Sequence, residues 1–485
     1  LVKLSEIAGF GLDRDPEILG LTADSRQVAP GWLFAAMPGC KTDGRAYIRA
    51  AVAAGAVAVI APEGSEDVPG DVLGDAVLLT AAEPRRMFAR FAASFYAVQP
   101  PTLAAVTGTN GKTSVSVFTR QLWARLGRNA ASLGTVGVVS PKRTVSGGLT
   151  TPDPVTLHRL LAELAGDGVT HACLEASSHG LDQYRLDGLA LSAGAFTNLT
   201  RDHLDYHLDM EAYARAKLRL FRDLLPAGAP AVLNADSEWY GRFHEICDIR
   251  NHRILSFGEN GKELALLERV AGADAQRLTL DVLGKRHTVR LPLAGAFQAS
   301  NALCALGLVI GCGADVDDAV AALETLEGVP GRLQAVAEYN EAPILVDYAH
   351  TPDALATVLQ AVRPHVARRL FVVFGCGGDR DPGKRPQMGA VAEELADEVI
   401  ITDDNPRTED PDLIRSQILA TCPKAVELGD RTTAIAAAIA ELAPGDVLVV
   451  AGKGHEQGQI IGDEVHPFDD ATVCRQVVEA LEGER

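Results

Sequence analysis

Gly108-Thr109-Asn110-Gly111-Lys112-Thr113-Ser114 is the stretch of this 485-residue chain whose residue types speak most directly of chemistry. Glycines let backbone N–H groups approach anionic oxygens, a following helix adds the positive end of its dipole, and Lys112 adds a cation. Together these suit the phosphates of a nucleotide, with ATP the expected one. Thr113 can turn its hydroxyl toward Mg²⁺. The usual spacing has another glycine five residues before Gly111, where this chain has Val106. The plain alternative is a structural glycine turn with a surface lysine. An apolar strand at 103–106 and a helical pattern after the loop favour the phosphate reading.

Two polar clusters follow. An apolar run at 171–174 ends in Glu175-Ala-Ser177-Ser178-His179-Gly180-Leu181-Asp182, and further on stands Thr197-Asn198-Leu-Thr200-Arg201-Asp202-His203-Leu-Asp205-Tyr206-His207. Mg²⁺ prefers oxygen ligands and keeps several waters, so Glu175 at a strand end is a candidate ligand. His203 is softer than Mg²⁺ usually takes. His203 and His207 are four apart, a zinc-like spacing on a helix, but no third ligand completes an HExxH pattern. His207 therefore reads as a packed histidine. By spacing, Lys217 reads as a helix lysine with its stem along apolar surface. Asp404-Asn405-Pro406-Arg407 follows another apolar run, and an arginine fork there can hold a carboxylate through two parallel hydrogen bonds.

These groups need rigid elements behind them. The length suggests about three domains, drawn at 1–98, 99–328 and 329–485. Gln99-Pro100-Pro101-Thr102 reads as a linker, and 327–332 as a second boundary. The first unit mixes short strands with alanine-rich helices such as 46–54. The middle one alternates strand and helix as a mostly parallel α/β sheet requires. In the last, apolar runs at 344–346, 370–374, 399–401 and 447–450 each end in Gly, Asp, His or Arg. Ligands in open α/β sheets bind at carboxyl strand ends, so four such clusters predict one assembled site. The formal net charge of −19 argues against nucleic acid as a general partner. No apolar run is long enough to span a membrane and no signal peptide is evident. The eight cysteines are scattered without a CxxC pair, which suits reduced thiols in the cytoplasm. The chain opens on Leu1, which suggests that a few native residues are missing.

In order along nearly the whole chain, these residues resemble the Mur ligase family, ATP-dependent amide-forming enzymes of peptidoglycan precursor synthesis. The resemblance implies an α/β chain of three domains: an N-terminal uridine-nucleotide domain, a central P-loop ATPase domain and a C-terminal Rossmann-like domain. It implies that 108–114, Asn301, Arg332 and Asp347 contact ATP, and that Thr113, Glu175 and His203 help hold Mg²⁺. It makes Lys217 a carbamate, hence an anionic ligand, and Lys112, Lys217 and His203 the catalytic groups. Ala23 and Ser25 in Thr22-Ala23-Asp24-Ser25-Arg26, with Thr150, Thr151, Ser177, Gln183 and Arg185, are similar to positions that hold UDP-N-acetylmuramoyl-L-alanyl-D-glutamate. Arg380, Asp404, Asn405, Pro406, Arg407, Gly452 and Glu456 match the members that add meso-diaminopimelate, where lysine-adding relatives lack the arginine. Gln298 stands where the family often has Asn. A lysine-adding ligase, a folylpolyglutamate synthetase-like ligase and an ATP-binding regulatory switch are the alternatives.

Overall fold

The computed structural model describes residues 2–39, 42–65, 67–145, 147, 149–271, 275–293 and 295–483. Three main sheets, each with its own buried core, follow one another along the chain. The first has four parallel strands, Gly20–Thr22, Trp32–Ala35, Ala58–Pro62 and Val77–Ala81, in chain order. Helix Pro84–Tyr96 puts Phe88, Ala89, Phe91 and Ala92 into its core. The helix expected over 46–54 begins as a 3₁₀ turn, Gly44–Tyr47, and becomes α-helical only over Ile48–Ala53. Asp43 accepts the Arg45 N–H at the head of that turn.

The central sheet has eleven strands. Its parallel heart runs Ala130–Gly134, His171–Glu175, Thr102–Thr107, Ala193–Phe196, Pro230–Asn234, Arg253–Gly258. Thr102–Thr107 lies between the strands ending in Glu175 and Phe196, with Glu175 paired to Val106 and Phe196 to Thr107. That register delivers the glycine loop, the Glu175 cluster and the Thr197 cluster to adjacent strand ends. Helix Ala296–Gly311 is buried and largely apolar after its first turns, which carry Gln298, Ser300 and Asn301, and it packs on helix Lys112–Arg125. It sits so close to the sheet that a Cβ on Gly307 would meet Val232 at 2.7 Å.

Both edges of this sheet differ from the parallel expectation. Gly137–Val139 and Thr144–Val145 pair antiparallel on one side, and Leu264–Ala271, Gln276–Val282 and Lys285–Leu291 form an antiparallel meander on the other. The turn at Leu283-Gly284, both at positive φ, reverses the chain in two residues. Antiparallel pairing is what so short a connection permits.

The third sheet runs Gln334–Tyr339, Ala342–Asp347, Val447–Ala451, Leu370–Phe374, Glu398–Ile401, Val426–Glu427, parallel after the first pair. All four apolar runs are strands, and Asp347, Gly375–378, 402–407 and Gly452 leave at the same edge. Beneath that edge Arg431 and Asp470 are both fully buried, joined by bonds of 2.7 and 2.8 Å. Arg431 also donates to the Ala451 carbonyl at 2.9 Å, tying the last helix to a site-bearing strand end. Asp470→Ala would strand the guanidinium, and a cost of about 3–5 kcal/mol is expected. Hydrogen exchange of the Val447–Ala451 amides should show that loss; unchanged protection would contradict it.

Candidate active site

Gly108 and Gly111 both have positive φ, and a Cβ would lie 1.9 Å from Thr197 Oγ1 at the first and 2.4 Å from Asn301 Oδ1 at the second. Only glycine fits either place. Gly111 caps helix Lys112–Arg125, so that helix's free N–H groups point into the loop. The Lys112 ammonium folds back on the Gly108 and Thr109 carbonyls, at 2.9 and 2.8 Å. Loss of hydration lowers its pKa, with Glu175 and Asp202 opposing. Asn198 Oδ1 accepts the Asn110 N–H at 2.8 Å and Thr109 meets the Tyr213 hydroxyl at 3.2 Å, so the loop is braced from both sides.

Glu175 is buried, and its carboxylate accepts the Thr135 N–H at 2.8 Å and hydroxyl at 3.1 Å. A Cβ on Gly134 would fall 2.0 Å from Glu175 Oε1, so the turn carries glycine. His203 has a left-handed backbone, φ 54, and its Nε2 lies 3.4 Å from Asp202. Burial keeps this imidazole neutral, against the pull of Asp202. Burial would raise Asp202, yet the positive groups around it, Lys384 and Lys112 among them, hold it below the usual carboxylate range. His207 packs on Tyr213 and His179, with its Nε2 unpartnered. Burial lowers it to about 4, in keeping with a packed histidine.

Lys217 does not line the cavity. It lies beneath the loop, 1% exposed, donating to the Gly108 carbonyl at 2.7 Å and resting 4.4 Å above the Tyr213 ring. Burial, then the charge of Lys112, lowers it well below the ordinary lysine value. It is therefore no snorkelling surface lysine.

A cavity of 710 Å³ opens from the loop, lined by Thr113, Thr150, Glu175, His203, Asn301, Arg332 and Asp347 among others. Arg332 stacks over Tyr348 and donates to Thr113 Oγ1 at 3.1 Å. Asp347 accepts the Leu333 and Ala349 N–H groups, and burial raises it to about 6. The last domain therefore touches the loop itself. Asp353 accepts from Asn110 and Thr200, and Arg201 pairs with Asp381.

A second cavity, 450 Å³, lies between the first and central domains, with Ala23, Gln183 and Arg185 in its wall beside Asp24, Arg85 and Asp153. Ser25 begins the turn next to it. The hydroxyls of Thr151 and Ser177 both bond internally: Thr151 donates to the Glu175 carbonyl and Ser177 caps helix Ser178–Asp182. Arg185 donates to the Thr151 carbonyl and to Gln183.

Arg407 is half-buried at φ 52, donating to the Gly378 carbonyl at 2.8 Å. Its own backbone pairs with Ile460 and Gly462 of the hairpin Gly458–Ile461/Glu464–Pro467. Burial, then the nearby charge of Arg380, lowers Arg407, with Asp404, Glu456 and Asp379 opposing. Pro406 sits tightly under Gly378, where a Cβ would lie 1.9 Å from its carbonyl. Asp404 faces Gly452, whose φ is 112. Asn405 donates to Glu456 at 2.9 Å. Asp202, Asn198, Asp353 and Thr135 join the site beyond the expected residues; the first three lie within segments that carry the family resemblance, and Thr135 alone has no local motif.

A phosphate-binding loop in a central α/β domain, with the last domain lining its cleft and the first enclosing a second cavity against it, defines a three-part nucleotide-dependent enzyme. The Mur ligase family catalytic domain matches 17–96, the Mur ligase middle domain 106–309, and the Mur ligase, glutamate ligase domain 331–454. The chain belongs to the Mur ligase family. It is 55% identical over 481 residues to the UDP-N-acetylmuramoyl-L-alanyl-D-glutamate–2,6-diaminopimelate ligase of Bradyrhizobium diazoefficiens, covering 97% of each chain. To the ligase of the same name from Caulobacter vibrioides it is 53% identical over 488 residues, covering 99% of each. Among solved structures, one of a UDP-N-acetylmuramoyl-L-alanyl-D-glutamate–2,6-diaminopimelate ligase matches with a TM-score of 0.71 at 35% identity, covering 99% of both chains.

Proposed function

We propose that this enzyme uses ATP to join meso-diaminopimelate to the D-glutamyl γ-carboxylate of UDP-N-acetylmuramoyl-L-alanyl-D-glutamate, in the cytoplasm, as a step of peptidoglycan precursor synthesis. The observation that carries the reading is the docking of the last domain on the phosphate loop through Arg332 and Asp353, with Asp381 paired to Arg201 beside it. In this reading the same docking would present Arg380 and Arg407 to the amino acid that meets the activated carboxylate. The identity to ligases of that name over nearly the full chain supports the same substrates. Likewise the unit 1–98 would hold the UDP-sugar, 99–328 the ATP and 329–485 the amino acid. No helix among the described residues is long and apolar enough to cross a membrane.

In the first step a γ-carboxylate oxygen attacks the γ-phosphorus of ATP, and the bond to the β-phosphate oxygen breaks. Acyl phosphate and ADP result. In the second, an amine of diaminopimelate attacks the acyl carbon, phosphate leaves with the bonding pair, and the nitrogen loses a proton. Two anions must meet in the first step, so positioning and positive charge dominate. Lys112 would swing from the Gly108 and Thr109 carbonyls onto the phosphates. Asn301, Arg332 and Asp347 would fix the nucleotide. Ala23, Ser25, Thr150, Gln183 and Arg185 would face the UDP-sugar dipeptide. Ser177, whose hydroxyl accepts the Gly180 N–H and keeps its own proton, would donate there, and Thr151 would brace the wall through its bonds to Glu175, Ser177 and Arg185.

The donor set fits Mg²⁺: Thr113, Glu175 and His203 line one cavity. When bound, Mg²⁺ supplies positive charge to the phosphate oxygens. Lys217 fits a carbamate precursor, because burial favours the neutral amine that carbon dioxide requires; addition forms the N–C bond and releases one proton. Burial lowers both His179 and His203, which leaves them neutral but weakens them as bases, so neither is singled out to take the amine's proton.

Phosphate release tests the reading. With the UDP-dipeptide, ATP and Mg²⁺, meso-diaminopimelate should start turnover and L-lysine should be poor by several orders of magnitude. Equal turnover with lysine would make this a lysine-adding ligase. Release that ignores the amino acid would make it a switch.

A further inference from the structure

Lys453 is wholly buried, yet the reaction as proposed does not use it. Its Nζ donates to Asn405 Oδ1 and to Glu456 Oε2, each at 3.0 Å. Asn405 Nδ2 closes the triangle onto the same Glu456 oxygen at 2.9 Å. The Ile460 N–H, next to the residues that pair with the Arg407 backbone, also donates to Asn405 Oδ1. One buried cation therefore links the loop that carries Arg407 to the loop that carries Glu456.

Resting on the diaminopimelate reading, we propose that Lys453 is the positioning residue that holds the two halves of the far-end recognition site in register, and that its charge helps exclude an amino acid whose far end bears ammonium alone. Three cations, Arg380, Arg407 and Lys453, share this corner with three carboxylates, Asp379, Asp404 and Glu456. The far end of meso-diaminopimelate brings a carboxylate and an ammonium, so it adds no net charge. Lysine brings only the ammonium, an uncompensated charge beside Lys453, and leaves Arg407 without its carboxylate.

The groups facing Glu456 are Lys453, Arg407, His350, His455 and Tyr348. Burial would raise Glu456, and Lys453 first, with Asn405, holds it below the usual range. Both histidines are lowered by burial, so Arg407 would be the chief cation left near Glu456 without Lys453. The Glu456 pKa should then rise, and binding that needs its anion should fade at a higher pH as pH falls.

The test is Lys453→Gln, which keeps a donor and deletes the charge. KM for meso-diaminopimelate should rise about tenfold or more, with KM for ATP and for the UDP-dipeptide within about twofold of wild type. The acid limb of kcat/KM for meso-diaminopimelate should move to higher pH, and discrimination against lysine should fall about tenfold. Wild-type KM, or a general fall in rate with an unmoved acid limb, would overturn the proposal and leave Lys453 a purely structural residue. Should that variant not fold, Asn405→Ser breaks the triangle and keeps both charges. It should raise the same KM with a smaller shift of the acid limb than Lys453→Gln, because Asn405 also helps hold Glu456 low, and an unchanged KM would overturn the proposal. A wild-type enzyme with no diaminopimelate-dependent turnover would instead sink the functional reading itself, before any variant is compared.

Discussion

Exchange of Lys112 for methionine is expected to lower kcat by about three orders of magnitude or more and to leave the folded enzyme intact. The reasoning starts from the loop's two glycines, which bring backbone N–H groups close but leave one mobile cation to meet the charge that develops on the transferring phosphoryl group. In the absence of nucleotide that cation is held by two carbonyls of its own loop. It also suffers from lost hydration, so removing it relieves as much as it costs in the resting protein. Single-turnover measurement of ADP formation, with saturating UDP-dipeptide and ATP, reads the effect directly. A fall below about tenfold would mean that the phosphates are neutralised mainly by other groups.

Arg407→Ala should cut kcat/KM for meso-diaminopimelate by about 10³–10⁴ while the poor turnover of L-lysine changes little, so that preference collapses. The guanidinium is already half-buried and lowered by burial and by Arg380. Its partners in the protein are carbonyls, so a substrate carboxylate would supply the charge it lacks. KM for ATP should stay put, since Arg407 does not line the cavity at the loop. Arg407→Lys keeps a cation but not the fork, and should recover only a small part of the loss. Retained preference in Arg407→Ala would move the specificity to Arg380.

Much of this was legible in the chain because the parallel sheets announce themselves. Runs such as 370–374 and 447–450 are apolar on both faces and end abruptly in glycine and charge, the mark of buried strands with ligands at one end. The loop at 108–114 is local, so its geometry follows from its own residues. The antiparallel edges of the central sheet were hidden, because strands such as Leu264–Ala271 are half exposed and mix charge with apolar residues. Lys217 was misjudged by spacing. Helix position says nothing of the Gly108 carbonyl, 109 residues away in sequence, that waits above it. Thr135 was invisible for a like reason, since it acts from a turn, and so were the bonds that Asp353 makes across a domain boundary. Ser177 and Thr151 show the reverse: their positions were singled out, while the use of their hydroxyls as internal props depended on the fold.

The central claim is that ATP activates a carboxylate which one particular amine then captures. UDP-N-acetylmuramoyl-L-alanyl-D-glutamate carrying ¹⁸O in both γ-carboxylate oxygens, incubated with the enzyme, ATP, Mg²⁺ and meso-diaminopimelate, tests it in one mass spectrum. The account predicts one ¹⁸O in each released phosphate and one in the new amide carbonyl of the tripeptide product. Unlabelled phosphate, or labelled phosphate without tripeptide, would contradict it.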